Sequence, residues 1–287
     1  MHPSSPIPQR DIHFSIDGCD MRRWCNDDPC RTHFFSAMSI MFPEGEKFFI
    51  DSVRHYRDRV TDPKLQADVA GFIGQEAMHG REHRAYNTAL TRAGYDVAAL
   101  ERRTLRQIAF TQKMLPPKGQ LAVTIALEHF TAIMADAMLT DDRVFGNSDP
   151  RMTALWRWHA IEETEHKAVA FDVYQLVAPG FLGWLRRCAI MLSTSLIFWT
   201  HTLLNYFHFT RRDGIPFLTA LWRFLYNGFI TPGPLRRIQI PWLRYFSPWF
   251  HPWNHDNRGQ VECWKAAYAA TGQPPPSPLP HQERDFR

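Results

Sequence analysis

The stretch QEAMHGREH at residues 75–83 contains a Glu-x-x-His motif formed by Glu76 and His79. Glu163 and His166 form a second copy of the same motif further along the chain. In an α-helix this spacing puts both side chains on one face, about one turn apart. Two such helices and two helices with a single glutamate each would bring four carboxylates and two imidazoles together. That is the ligand set of a dinuclear, carboxylate-bridged metal site inside a four-helix bundle.

A single glutamate in a helical, apolar context precedes each motif. Glu46 comes before the first motif, and Glu128, within QLAVTIALEHF, comes before the second. A carboxylate buried without a partner is costly, whereas metal ligation would offset its charge. We therefore predict that both complete the site, with Glu44 as the alternative to Glu46 and with Glu128 bridging the metals. The order of the acids predicts two antiparallel helix pairs joined by a crossover at residues 94–117.

Helix start signals in the sequence predict an all-α chain. Asp62-Pro63 and Asp149-Pro150 each combine an N-cap aspartate with proline at the first helical position. The sequence lacks the alternating β-branched runs that are typical of strands. We predict a ferritin-like four-helix bundle with a crossover helix and additional C-terminal helices. The predicted helices cover residues 43–60, 62–94, 97–115, 118–139, 149–177 and 217–229.

The expected organisation has three parts. Residues 1–40 carry many Pro, Asp and Cys with little periodicity, and we expect an irregular N-terminal arm. Residues 41–180 are expected to form the metal-binding helical bundle. Residues 181–287 are expected to add apolar helices and a Pro- and Trp-rich tail that packs on the bundle.

Composition indicates a globular protein and argues against some partners. The chain has 287 residues, of which 45% are hydrophobic and 22% charged, so it can bury a substantial core. The net charge of +4 is mild and no long basic run occurs, which argues against nucleic acid as a partner. Five cysteines without a CxxC pair are expected to be reduced thiols. The N-terminal sequence lacks the apolar core of a signal peptide, so a cytoplasmic location is expected.

One apolar segment leaves membrane contact open. Residues 188–207 are mostly apolar and nearly long enough to span a bilayer. Ser, Thr, His and Asn side chains within the segment lower its hydrophobicity. A buried helix or a helix on the bilayer surface is therefore favoured over a true span.

Two further histidines share the predicted metal-facing stripe. His83 follows His79 by one turn, and His159 precedes Glu163 by one turn. Each is a candidate for an extra nitrogen ligand, for a third metal or for a hydrogen bond to a ligating carboxylate, and an ordinary structural role is the alternative. His129 points about 100° away from Glu128 on the helix and is expected to be structural.

Three other residues near the motifs have open roles. Glu162 rivals Glu163, because a spacing of four also reaches His166. Glu163 is preferred because it repeats the spacing of the first motif. Tyr86 and Tyr174 lie within about two turns of a predicted ligand and are candidates for a redox or hydrogen-bonding role, or for core packing.

Four separated stretches of the chain resemble a known family. They are FPEGEKFF (42–49), QEAMHGREH (75–83), ALEHFTA (126–132) and WHAIEETEHKAVAFDVY (158–174). They resemble the bacterial family labelled "predicted metal-dependent hydrolase", which is similar in pattern to ferritin-like di-iron proteins. The resemblance covers about residues 30–260, including FHPWNHD (250–256), and it implies that Glu46, in the Gly-Glu step, is the acid of the first helix.

The predicted ligands favour oxygen-activating chemistry. Carboxylates with few imidazoles suit two iron ions, with manganese or zinc as alternatives. We predict a non-haem di-iron oxidase or oxygenase that uses O₂ on an apolar or aromatic small molecule, with no catalytic residues beyond the ligands. The alternative is a dinuclear hydrolase of esters, amides or phosphates, and iron handling is the third function.

The expected partners follow from this chemistry. A nucleotide-binding fingerprint is absent from the sequence, so an oxygenase would need a separate electron-donating reductase. A homodimer is a further option that the sequence leaves open.

Overall fold

The computed structural model describes residues 7–275, and within them it is all-α, with no strand. This confirms the predicted fold class. The α-helices, in chain order, are α1 (Pro29–Ser39), α2 (Phe42–Arg54), α3 (Pro63–Arg92), α4 (Val97–Met114), α5 (Pro117–Leu139), α6 (Pro150–His166), α7 (Val169–Val177), α8 (Gly180–Arg212), α9 (Phe217–Leu225), α10 (Pro234–Arg237), α11 (Gln239–Arg244) and α12 (Arg258–Thr271).

Local capping explains where the two motif-bearing helices begin. The side chain of Asp62 accepts a hydrogen bond from the backbone N–H of Leu65 at the start of α3. Asp149 does the same for Arg151 at the start of α6. Each cap satisfies a backbone donor that lacks a partner within its helix. The two Asp-Pro start signals are thereby confirmed.

The two motifs lie in a bundle of four helices, α2, α3, α5 and α6. Helix α2 packs along α3, α5 packs along α6, and contacts of α2 with α5 and of α3 with α6 and α7 close the bundle. Helix α3 has 30 residues and is therefore about 45 Å long. Helix α4 connects the two halves and contacts α2, α3 and α5. This arrangement is consistent with the predicted ferritin-like bundle and its crossover helix.

The N-terminal arm is more regular than expected. Residues 29–39, placed within the irregular arm by the sequence, form α1, which begins at the N-cap Asp28. Most of α1 is buried, and the Asn205 side chain of α8 donates a hydrogen bond to the Ala37 carbonyl. Tertiary packing on both sides stabilises this helix although its own sequence shows little periodicity.

The predicted fifth helix is also divided in two. Residues 149–177 were expected to form one helix, but α6 ends at His166 and α7 begins at Val169. At the break the Lys167 ammonium donates to the His255 carbonyl at 2.8 Å and to the Asn257 side chain at 2.7 Å. No Gly or Pro at this position predicts the break, and contacts with the C-terminal segment accompany it.

The C-terminal additions centre on α8, which has 33 residues and packs against α5 and α1. Within the described residues, α5 and α8 are long and apolar enough to cross a membrane by length and composition. The most apolar part of α5 is 72% buried, as expected for a core helix, whereas that of α8 is only 39% buried. Much of α8 therefore faces outward.

Candidate metal centre

Four helices bring the six predicted ligands to one point in the bundle. None of these side chains is more than 2% exposed. They come from α2 (Glu46), α3 (Glu76 and His79), α5 (Glu128) and α6 (Glu163 and His166). Each of the two predicted helix pairs, α2 with α3 and α5 with α6, therefore contributes three of the six side chains.

The first half of the cluster surrounds His166. Its Nε2 lies 3.1 Å from Glu76 Oε1, 3.4 Å from Glu128 Oε2 and 3.6 Å from Glu163 Oε2. Glu76, Glu128 and His166 each offer a ligand atom within 4.8 Å of the others. This spacing suits three side chains arranged around one cation.

The second half of the cluster surrounds His79. Its Nδ1 lies 3.8 Å from Glu76 Oε1 and 3.6 Å from Glu163 Oε1. Glu46, Glu76 and His79 form a second group with ligand atoms within 4.8 Å of one another. Glu76 thus belongs to both halves, and Glu163 directs one oxygen toward each.

The structure places other glutamates between the two halves of the cluster than the one predicted from the sequence. The sequence led us to expect Glu128 to bridge the two metals. Glu128 instead lies in the His166 half, while Glu76 and Glu163 lie between the halves. The glutamates of the two Glu-x-x-His motifs are therefore better placed to be shared than the single glutamate of α5.

The cluster leaves many buried polar atoms without a hydrogen-bond partner. Such atoms are both oxygens of Glu46, Glu76 and Glu128, together with Glu163 Oε2, His79 Nδ1 and His166 Nε2. Unpaired buried carboxylates are strongly unfavourable, and their concentration at one point is uncommon in folded proteins. Cations bound among them would satisfy these atoms together, so the donor set fits a metal-binding cluster.

The electrostatics of the carboxylates reflect the same crowding. Burial raises the pKa of Glu46 and of Glu128 well above the ordinary value, and repulsion by neighbouring carboxylates adds to this. Burial also raises the pKa of Glu76. For Glu163 the burial effect is outweighed, mainly by His166, and its pKa lies well below the ordinary value. The metal-free cluster therefore holds protons that cations would displace.

Glu162 does not join the cluster but orients one of its histidines. His79 Nε2 forms a hydrogen bond with Glu162 Oε2 at 3.1 Å, so His79 Nδ1 faces the cluster. Glu162 Oε1 in turn accepts from the guanidinium of Arg10 at 2.8 Å. The geometry thus separates the rivals, with Glu163 in the cluster and Glu162 behind His79.

Gln75 performs the matching task for the other motif. Its side-chain oxygen accepts from His166 Nδ1 at 3.0 Å, so His166 Nε2 faces the cluster. Its amide donates to Glu165 Oε2 at 2.8 Å, which fixes the orientation of the amide. Sequence analysis missed Gln75 and Arg10, although the position of Gln75 directly before Glu76 was an available signal.

His159 also reaches the cluster. Its Nε2 lies 3.0 Å from Glu163 Oε1, and it forms one group with His79 and Glu163 and another with Glu46 and His83. His83 lies behind it, with His83 Nε2 2.9 Å from His159 Nδ1. Both extra histidines therefore lie near predicted ligands, but both ring nitrogens of His83 have hydrogen-bond partners outside the carboxylates.

A chain of hydrogen bonds fixes the orientation of the His159 ring. The Asn87 amide nitrogen donates to Glu101 and to the Ser39 carbonyl, so its oxygen accepts from the Ser39 hydroxyl at 3.0 Å. The Ser39 oxygen must then accept from His83 Nδ1 at 2.9 Å. His83 Nε2 in turn accepts from His159 Nδ1.

The consequence is that His159 Nε2 is the ring nitrogen that faces the cluster. His79 Nδ1 and His166 Nε2 face it in the same way, each fixed by a hydrogen bond on the opposite ring nitrogen. Burial lowers the pKa of His79 and of His83 well below the ordinary value, which favours neutral rings. For His166 the effect of burial is outweighed by the charges of Glu128 and Glu163, so its pKa lies well above the ordinary value. Neutral imidazoles are the metal-binding form, so a cation would displace this proton as well. The available donors are thus four carboxylates and three imidazoles.

The remaining candidates have partners elsewhere. His129 Nε2 donates to the Pro241 carbonyl at 3.1 Å, which supports the structural role expected for it. The Tyr86 hydroxyl accepts from the Trp24 indole at 2.9 Å and contacts the Ser36 hydroxyl. The Tyr174 hydroxyl donates to the Gly183 carbonyl at 2.8 Å. These contacts tie both tyrosines to the packing of the bundle.

A largely apolar cavity of about 150 Å³ adjoins one side of the cluster. Glu46, His159 and Glu163 form part of its wall, and helices α2, α4, α5 and α8 supply the rest. Helix α4 presents residues spaced by about one turn, Thr104, Gln107, Ile108 and Thr111. A small molecule in the cavity would therefore meet the His79 half of the cluster.

Replacing His159 by phenylalanine tests its assignment as a third nitrogen donor. We expect His159→Phe to lower the metal affinity of one of two sites by about 10- to 100-fold, a loss typical of a disrupted metal environment. Titration followed by elemental analysis measures this. His129→Phe is the matched control, because it removes a buried histidine outside the cluster. Equal metal affinity in the His159→Phe variant and the unmodified chain would contradict the assignment.

Comparisons with known proteins agree with a metal-binding site. Residues 8–256 match the family described as "Predicted metal-dependent hydrolase". Comparisons with curated proteins and with solved structures found no match. The family description favours the hydrolase alternative over the oxygenase that the sequence led us to prefer. Because the match covers most of the chain and all of the cluster, the protein belongs to the predicted metal-dependent hydrolase family.

Proposed function

We propose that the protein is a dinuclear metal-dependent hydrolase acting on a largely apolar ester, amide or phosphate. The observation that carries this proposal is the group of buried, unpartnered ligand atoms beside an apolar cavity. The family description supports hydrolysis as the reaction. Two cations at this point would act as Lewis acids toward a substrate oxygen and lower the pKa of water.

The protein's own groups determine how a substrate would approach. Only one face of the cluster lines the cavity, at Glu46, His159 and Glu163. The polar group of a substrate would therefore approach between α2 and α6, with its apolar part along α4 and α8. Phe48 and Phe198 in the cavity wall would exclude bulk water and strengthen electrostatic interactions at the centre.

Behind the cluster, polar contacts hold the ligands in place. Arg10 bridges Glu162 and Glu165, and these contact His79 and Gln75 respectively. Such outer contacts fix ligand orientation before metal or substrate binds. The N-terminal segment therefore contributes to the site although it precedes every helix of the bundle.

A second candidate function is O₂-dependent oxidation at a di-iron centre. The observation that favours it is the excess of carboxylates over imidazoles on four helices, since hard oxygen donors suit iron or manganese. The same apolar cavity would then hold an oxidisable substrate, and a separate reductase would supply electrons. Iron handling is less well supported, because storage requires no organic-substrate cavity.

Metal-specific assays distinguish these functions. The metal-free protein would be reloaded with zinc, manganese or iron and assayed against acyl esters, amides and phosphate esters, with O₂ uptake followed in parallel. Hydrolysis that depends on metal and not on O₂ supports the proposal. O₂ uptake by the reduced iron form, without hydrolysis, supports oxidation. Metal binding without either reaction would contradict both enzymatic functions.

Filling the cavity tests its assignment to the substrate. We expect Thr111→Trp on α4 to lower kcat/KM for long apolar substrates by at least about tenfold, because the indole occupies substrate space. Metal content should stay unchanged. Thr88→Trp, at an exposed position of α3, is the control. Full activity of the Thr111→Trp variant would show that substrates bind elsewhere.

A further inference from the structure

An apolar stripe runs along the outward face of α8. Its exposed leucines are spaced by one or two helical turns, and they are Leu182, Leu185, Leu192, Leu196 and Leu204. Of these, Leu182 and Leu196 are 73% and 72% exposed. From Leu182 to Leu204 the stripe is about 33 Å long. Residues 188–210 contain no Asp, Glu, Lys or Arg. A soluble helix normally presents polar residues on its outer face, so this face indicates an apolar partner.

Neighbouring helices extend the same surface. Phe217 of α9 packs against Phe207 of α8, with ring centroids 4.8 Å apart. Beyond this contact Leu218 and Trp222 of α9 are exposed, at 76% and 59%. The apolar surface therefore continues beyond the C-terminal part of α8 rather than ending there.

The mouth of the cavity lies beside the α8 stripe. Ser193 and Ile197 are exposed and also line the cavity, so they mark where it reaches the surface. Leu192 and Leu196 are exposed at adjacent positions of the same helix. Whatever covers the stripe therefore lies next to the entrance to the metal centre.

Arginines lie near both ends of the stripe. Arg186 lies near its start, and the exposed Arg211 and Arg212 lie at its end. On α4, Arg103 is close enough to His201 to lower the pKa of that histidine, although burial is the larger cause. An apolar face bordered by arginines is the pattern of helices that lie on anionic bilayers.

We propose that the α8 stripe docks on the surface of an anionic phospholipid bilayer and that the cavity mouth faces the lipid. Resting on the proposed function, this identifies the substrate class as molecules with an apolar chain that partition into the bilayer. Such a molecule would enter past Ser193 and Ile197 without crossing water, and its polar group would reach Glu46 and His159.

The charge pattern argues against a second copy of the chain as the occupant. A twofold pairing of two stripes, parallel or antiparallel, sets arginines of one copy against arginines of the other. Like charges at such an interface are unfavourable, whereas phosphate headgroups pair with arginines. The other long apolar helix, α5, is mostly buried, so the described residues favour a surface location over a span.

Vesicle flotation with the full-length, metal-loaded protein tests the proposal. We expect binding to vesicles of phosphatidylcholine mixed with phosphatidylglycerol, weaker binding to phosphatidylcholine alone, and a decrease at high salt. Leu192→Glu/Leu196→Glu should lower binding by at least about tenfold, because charged side chains replace apolar ones in the acyl boundary. Ala85→Glu/Thr88→Glu adds the same charge at exposed positions of α3 and should bind normally.

Two measurements separate the outcomes. Metal content and helix content of the Leu192→Glu/Leu196→Glu variant should equal those of the unmodified chain, so a loss of flotation reports docking and not misfolding. Sedimentation without lipid determines the oligomeric state. A stable dimer that this variant converts to monomers, with no vesicle binding by either form, would overturn the proposal. Because flotation needs no turnover, it stays interpretable if the protein proves not to be a hydrolase.

Discussion

The Glu76→Ala variant is expected to lose both metal ions, falling from about two per chain to nearly none. Glu76 is placed to serve both halves of the cluster, and its two oxygens have no hydrogen-bond partner. Its removal takes a shared donor from each ion at once. Metal analysis of the purified variant measures the loss, and circular dichroism should show the helices retained, because a repulsive buried charge is removed as well.

Two further variants give this prediction its controls. Glu44→Ala changes a partly buried acid in the first turn of α2, outside the described ligand groups, and should keep both ions. Glu128→Ala removes a donor of the His166 half only and should retain more metal than Glu76→Ala. Equal metal content in the Glu76→Ala and Glu44→Ala variants would contradict the assignment of Glu76 as a shared ligand.

Removal of the metal is expected to destabilise the protein and to make its stability depend on pH. Cations that bind the folded chain stabilise it by mass action, by about 2.7 kcal/mol at a hundredfold excess over Kd. Chelation removes this contribution and leaves the carboxylates to repel one another. Thermal unfolding with and without chelator should show a fall in Tm of several degrees, since 1 kcal/mol corresponds to roughly 2–4 °C in a chain of this size.

The sign of the pH dependence follows from the carboxyl groups. Glu46 and Glu128 have folded-state pKa values well above the ordinary 4.5, so the folded chain binds protons that the unfolded chain releases. The stability linked to these protons is present at low pH and is lost as the pH rises through the folded pKa. Each pKa unit of difference corresponds to about 1.4 kcal/mol.

Two histidines have the opposite effect on stability, but only at lower pH. His79 and His83 have lowered pKa values, so they reduce stability only as the pH falls below the ordinary 6.5. Above pH 6.5 we therefore expect the Tm of the metal-free protein to fall, relative to that of the metal-loaded protein, as the pH rises. Groups outside the cluster, such as Lys167 with its pKa lowered to about 7, affect both forms alike. A difference in Tm between the two forms that shrinks over the same range would contradict this account of the cluster.

Local sequence patterns predict the elements of the site. The spacing of Glu76 with His79 and of Glu163 with His166 is meaningful only on helices, and the Asp-Pro caps place those helices locally. An acid such as Glu128 in an apolar helix must face a partner inside the bundle. Such local patterns explain why the all-α class could be derived from the chain and why the six side chains that meet could be named.

Packing between distant segments sets the direction in which each side chain points and the partners that it meets. Glu162 and Glu163 are neighbours in sequence, and only packing shows that one orients His79 while the other faces the cluster. Arg10 and Gln75 act through partners that spacing cannot reveal, because they lie far apart in the chain.

The role of His159 and the exposed face of α8 required the fold for the same reason. The orientation of the His159 ring depends on Ser39, Asn87 and His83, which come from two other helices. Residues 188–207 are apolar in any setting, but only their packing shows which side faces the bundle and which faces outward. Local patterns fix which residues can meet on a helix face, whereas long-range packing fixes what each face meets.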